Sequence, residues 1–176
     1  MNRALEQLFS DCFYGDFATR LEGGALEPLY RPASTAGGTA VIYYREDFPA
    51  SALHEVAHWC IAGDLRRQQE DYGYWYAPDG RDTAQQRAFE TVEVLPQAVE
   101  WHFSLACMLP FRISLDNLQG ELPADSAFPD SVLARVRELC GSGLPARAEQ
   151  YRKALAQHFG GPAAPVAADF CLEEVR

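Results

Sequence analysis

The sequence predicts an α+β fold: a single compact domain spanning residues 1–176, mostly helical, with a small sheet beside one helix that carries paired histidines. Three observations lead there. Several stretches place apolar residues at helical spacing, whereas Thr39-Ala40-Val41-Ile42-Tyr43-Tyr44 is the clear β-branched and aromatic run. The 176 residues are 48% hydrophobic and 12% aromatic, enough to bury one real core. No apolar run reaches the length of about 20 residues that a membrane-spanning helix needs.

Taken in order, residues Ala4 to Phe17 carry Leu5, Leu8, Phe9, Cys12 and Phe13 on one helical face. Residues Thr19 to Gly38 are broken by Gly23-Gly24, Pro28, Pro32 and Gly37-Gly38 into short extended pieces joined by turns. The strand at Thr39–Tyr44 follows, a candidate to line a substrate groove. A helix is expected from Pro49 to Ala62, with Pro49 in its first turn, Ser51 as a cap and Gly63 as a stop. Leu65 to Asp71 is polar. Tyr72-Gly73-Tyr74-Trp75-Tyr76 is densely aromatic and runs into a Pro78-Asp79-Gly80 turn. From Asp82 the pattern is helical again, and Pro96 either kinks that helix or separates it from a second one that ends near Met108. Ser131 to Cys140 and Pro145 to Phe159 complete the helices. His158 reads as a residue of an exposed last turn, where a cation is favoured. Residues 160–176, beginning Gly160-Gly161-Pro162, read as a loosely packed tail.

The chemistry concentrates at His54-Glu55-x-x-His58, which holds two of the four histidines in the chain. Residues i and i+4 share one helical face, so both imidazoles reach the same point, and the helix fixes their separation before any ion arrives. The expected local arrangement is zincin-like: a metal-binding helix beside a sheet. In that reading Glu55 is the catalytic general base on a bound water, as in zinc peptidases. Two histidines need a third ligand, and one carboxylate is the common completion for zinc or for non-haem iron. The candidates are Glu93, with Glu90 as second choice, then Glu100, with His102 as an outsider. Glu90 and Glu93 sit among Phe89, Val92 and Val94, an odd place for a solvated acid. Gln97, four residues after Glu93, is placed to support a ligand from behind. The aromatic stretch has two readings: a loop pinned to the core, or a wall over the metal. In the second, Tyr74, Trp75 and Tyr76 exclude water, and Asp79 or Asp82 holds an ammonium group.

The net charge of −10 argues against nucleic acid as a partner and is compatible with a cationic substrate, although solubility alone also explains it. Five widely spaced cysteines without a CxxC pair fit a reducing compartment and exclude a cysteine-based zinc site. The N-terminus, Met1-Asn2-Arg3-Ala4-Leu5-Glu6, has no signal-peptide hydrophobic region, which leads to the expectation of a cytoplasmic protein with no membrane partner.

Three blocks together resemble the elongation factor P hydroxylase family: Ser51-Ala52-x-His54-Glu55-x-x-His58-Trp59-Cys60-Ile61-Ala62-Gly63, then Gly73-Tyr74-Trp75-Tyr76-x-Pro78-Asp79-Gly80-Arg81-Asp82, then Phe89-Glu90-x-Val92-Glu93-Val94-x-Pro96-Gln97-Ala98. The likeness continues through Pro110-Phe111 and Asp116-Asn117-Leu118. The resemblance implies a bacterial metal-dependent oxygenase. Its substrates would be molecular oxygen and a lysine of elongation factor P that has already received a β-lysyl group. It also implies His54 and His58 as ligands, with an acid of the Glu90–Glu93 block completing the site. Hydroxylation of an unactivated C–H bond favours Fe(II), with zinc as the alternative. Two other classes compete: a small HExxH zinc metallopeptidase, and a non-catalytic protein that keeps a structural metal.

Overall fold

The computed structural model describes residues 1–71, 83–114 and 126–172, with the side chains of Thr83 and Ala84 left out. Helix α1 (Asn2–Phe17) buries Leu5, Phe9 and Phe13, one per turn. It stops at Ala18, which adopts the left-handed conformation and returns its N–H to Tyr14 O. The chain passes directly into β1 (Thr19–Ala25), continues to β2 (Leu29–Arg31), and returns as β3 (Ala40–Arg45).

These strands form a three-stranded mixed sheet in the order β1-β3-β2, parallel between β1 and β3 and antiparallel between β2 and β3. The central position of β3 explains its near-continuous apolar sequence, because both neighbours and the helix layer cover it. The position that the sequence left open, edge or central, is thus central, with β3 paired on both sides. The β1–β3 register is irregular between Glu22 and Ala25. Here Gly23 lies under the buried Tyr44 ring, and a Cβ on it would sit 2.6 Å from that ring. Tyr44 Oη donates to Glu6 Oε1 at 2.9 Å, and Gly23 N–H donates to the same oxygen at 3.2 Å, which ties the sheet to α1.

Helix α2 (Pro49–Ile61) has Pro49 at its start, as expected. Its cap is not Ser51: Phe48 occupies that position, and Ser51 Oγ accepts the Arg45 N–H at 3.0 Å, joining β3 to the first turn. Nor does Gly63 stop it. The helix ends with Ala62 in an extended conformation, and its last carbonyls are met by two arginines from elsewhere. Arg147 Nη2 donates to Trp59 O, Cys60 O and Ala62 O, and Arg67 Nη1 donates to Ala62 O at 2.7 Å. Both guanidinium groups also lie over the rings of Phe17 and Trp59.

Pro96 does not divide the next element. Helix α3 (Thr83–Ala106) runs through it without a break. Proline costs an interior helix a hydrogen bond, but α3 packs against α2, α4 and α5 at once, and that packing overrides the local penalty. Helix α4 (Phe128–Ser142) starts three residues before the Ser131 expectation, because Phe128 and Pro129 form its first turn and Phe128 is buried. Helix α5 (Ala146–Phe159) has Tyr151 and Leu155 in the core and His158 exposed.

The tail departs from the expectation of loose packing. Residues 163–169 are mostly exposed, but Phe170 is fully buried, edge-on to Trp101 and His102, and its carbonyl accepts from Arg137 Nη2 at 2.8 Å. Gly161 passes so close to the end of α3 that a Cβ would come within 2.4 Å of Ala106 O. The coarse prediction stands: a mixed, mainly helical fold with a small sheet.

Candidate metal centre

Helix α3 is the unusual element. Of the seven buried polar or charged side chains among the described residues, five are on it: Glu93, Gln97, Glu100, His102 and Ser104. Such groups are costly to bury unless they are partnered. Glu93, Gln97 and Glu100 are spaced i, i+4, i+7 and so share one face.

Helix α2 presents His54 and His58 on adjacent turns, with ring centroids 4.7 Å apart. Their Nε2 atoms approach to 3.1 Å. The Glu93 carboxylate arrives between them from α3: Oε1 is 3.2 Å from His58 Nε2, and Oε2 is 3.7 Å from His54 Nε2. One atom from each of the three residues lies within 4.8 Å of the others. Two donors bound at about 2.1 Å to one ion lie on the order of 3.0–3.4 Å apart, so these separations are close to what a shared cation imposes.

The orphan at this point supports the same fit. Glu93 is 3% exposed, and its Oε2 is a buried oxygen without a hydrogen-bond partner. Burial pushes the Glu93 carboxyl up, but His58 above all, then His54 and the Gln97 amide, outweigh it and hold the pKa at about 2. A buried anion with an unpartnered oxygen, facing two imidazole nitrogens, is a donor set for a divalent cation: two nitrogens and one carboxylate. The buried polar group then has its counter-charge.

Behind this group, His54 Nδ1 is 2.8 Å from Glu100 Oε2. Burial alone would lower the His54 pKa, but the hydrogen bond and charge of Glu100, with Glu93 and Glu55, raise it well above its ordinary value. Burial also pushes the Glu100 carboxyl up, against the pull of His54. Glu100 meets Nδ1 of the ring, and His54 Nε2 is the atom turned toward His58. Gln97 is held by the Ser114 backbone in both directions, donating from Nε2 to the carbonyl at 2.7 Å and accepting the N–H at 3.1 Å.

The other sequence candidates are placed elsewhere. Glu90 is half-buried, accepts from Gln86 Nε2 at 3.2 Å and lies outside the donor group. His102 is buried against Phe170 with Nε2 3.1 Å from Val136 O, away from His54 and His58. Glu100 is not a third donor beside Glu93; it meets the opposite nitrogen of His54. Glu55 is half-buried and acts on His54 through its charge, but it is not in the donor group. Tyr74, Trp75, Tyr76, Asp79 and Asp82 lie outside the described residues. The cysteines are free, and none joins the donor group. No local pattern signals the Arg147 cap on α2, which comes from 85 to 88 residues away in the chain.

The sequence profile of elongation factor P hydroxylases matches residues 8–170, a span that contains every residue named at this centre. The chain belongs to the elongation factor P hydroxylase family. A Haemophilus influenzae protein named elongation factor P lysine hydroxylase is 45% identical over 152 residues, covering 86% of this chain and 85% of that protein. The family match ends at Phe170, the residue that fastens the tail to the back of α3. No described helix is long and apolar enough to cross a membrane.

Proposed function

We propose that this chain is a metal-dependent hydroxylase of a lysine side chain in elongation factor P, with Fe(II) held by His54, His58 and Glu93. The observation that carries this reading is the convergence of two imidazole nitrogens on a buried, ionised carboxylate with an unpartnered oxygen. Membership of the family and the name of the Haemophilus relative supply the substrate. Two nitrogens and one carboxylate leave coordination positions open, and iron there supplies the dioxygen chemistry that an unactivated C–H bond requires.

The chain's own residues do the rest. Glu93 stays anionic at working pH and neutralises part of the ion's charge. Gln97, fixed by Ser114, steadies that carboxylate from behind. The side chains of His54 and His58 are 17% and 23% exposed, so the centre is reached from their side of α2. The net charge of −10 suits a target that is cationic, a β-lysylated lysine in the reading the resemblance implies. The aromatic and acidic stretch from Tyr74 to Asp82 is the proposed contact for that long side chain. The zincin-like comparison is kept only as a helix packed beside a sheet, here α2 on β3. The proposed setting is the cytoplasm, with no nucleic acid or membrane as partner.

The test is mass spectrometry of elongation factor P from cells with and without this gene, and after incubation with purified protein, Fe(II) and oxygen. The expected outcome is a gain of about 16 daltons, one oxygen atom, that depends on the gene. Zinc-dependent cleavage of an unfolded protein, with no mass gain, would favour the peptidase alternative and return Glu55 to the role of base.

A further inference from the structure

Glu100 is 5% exposed, on α3, two turns beyond Glu93. Among the described residues its carboxylate meets His54 Nδ1, at 2.8 Å. It is too far round the ring to reach the point where the two Nε2 atoms meet. A neutral imidazole carries one proton, on either nitrogen, and only the other nitrogen can bind a metal. A His54 that binds metal through Nε2 is neutral there, and an ionised Glu100 at 2.8 Å from Nδ1 can only accept, which puts the ring proton on Nδ1. The lone pair is then on Nε2, the atom 3.1 Å from His58 Nε2 and 3.7 Å from Glu93 Oε2. The same contact fixes the rotation of the ring.

We propose that Glu100 is a positioning residue that selects the Nδ1–H tautomer of His54 and so prepares Nε2 to bind the ion. The inference rests on His54 being a ligand, as proposed above. His58 has no equivalent: among the described contacts its Nε2 faces only His54 and Glu93. The two histidines therefore differ. Among the described contacts, His54 is oriented from behind by Glu100 and His58 is not. The spacing of the acids follows from this division, because one helical face supplies both the ligand, Glu93, and the residue that orients a ligand of the other helix.

The test compares wild type, Glu100→Gln, Glu100→Leu and His54→Ala as metal-free proteins. Two quantities are read: the dissociation constants for Zn(II) and for Fe(II) under anaerobic conditions, and the His54 tautomer from nitrogen-15 chemical shifts. The expected result for Glu100→Leu is a dissociation constant raised by about ten- to a hundredfold with loss of the single Nδ1–H tautomer, while Glu100→Gln, whose amide oxygen still accepts from Nδ1–H, keeps the tautomer. A purely structural Glu100 would alter stability without moving the tautomer. The inference is overturned if folded Glu100→Leu keeps wild-type affinity and the wild-type tautomer. If Glu100→Leu fails to fold, Glu100→Ala, which also removes the acceptor, decides on the same two readings. His54→Ala separates the layers: if it loses metal while the Glu100 variants do not, only the role of Glu100 falls. If His54→Ala keeps metal, the ligand assignment itself is wrong.

Discussion

The two sides of α3 bury histidine in opposite ways. Toward α2, His54 meets Glu100 and Glu93, and those charges raise its proton affinity well above the ordinary value. Toward α4 and the tail, His102 meets the Val136 carbonyl and the Phe170 ring, and burial drives its pKa down to about 4. His54 keeps a partial opening to solvent and His102 does not, but burial lowers the pKa of both and so does not explain the opposite directions. The difference is whether charge is enclosed with them. Each side leaves a buried atom without a hydrogen-bond partner, Glu93 Oε2 toward α2 and His102 Nδ1 toward α4, but only Glu93 belongs to a group of converging donors. The α4 side uses its imidazole as an aromatic filler with one hydrogen bond. A reactive centre and a structural contact thus sit back to back on one helix.

The comparison breaks most sharply through the ligands. His54→Ala or Glu93→Ala should lower hydroxylation of elongation factor P and metal affinity by more than about a hundredfold. Loss of a direct ligand should exceed the ten- to hundredfold effect typical of groups behind one. Mass spectrometry and metal titration check this. On the other side, His102 should govern acid stability. Its folded pKa is below the ordinary value of 6.5, so the unfolded chain takes up the proton first. The stability is complete above about pH 6.5 and is lost as pH falls toward 4, by on the order of 3 kcal/mol. Urea unfolding of wild type and His102→Gln between pH 7 and pH 4 should show a shallower loss for the variant.

A smaller effect is expected at the far end of α2. Arg147→Met should cost about 2 kcal/mol through lost carbonyl hydrogen bonds and the stack on Trp59, while changing metal affinity less than twofold. Thermal denaturation and metal titration separate the two. The smallest effect should come from Glu90→Ala, the acid one turn from Glu93 but outside the donor group. Its hydroxylation rate should stay within about twofold of wild type, as at a surface-type position. A loss as large as that of Glu93→Ala would move the third ligand to Glu90.

Much of this was legible in the residues. The i, i+4 histidines, the helix that carries them and an acid later in the chain are local patterns, and local patterns follow from helical periodicity. Glu93 and Gln97 were visible because acids and amides among Phe89, Val92 and Val94 are out of place. What failed was local grammar overruled from a distance. Ser51 and Gly63 had the right types to end α2, but its ends are held by Phe48, Arg67 and Arg147. Pro96 had the right type to break α3, but packing on three helices carries the helix through. The glycine- and proline-rich tail read as loose, yet a single aromatic anchors it in the core.

By itself, then, the sequence determined the candidate donors: which residue types, on which helices, at which spacing, and a family likeness that the profile match upholds. Only the tertiary structure decided which acid faces the histidines and which stands behind one. The physical reason is that helical spacing defines a face but not its azimuth. Glu90, Glu93 and Glu100 are alternatives along one chain until α3 is laid against α2. That crossing turns Glu93 toward both Nε2 atoms, leaves Glu90 to Gln86, and gives Glu100 the other nitrogen of His54.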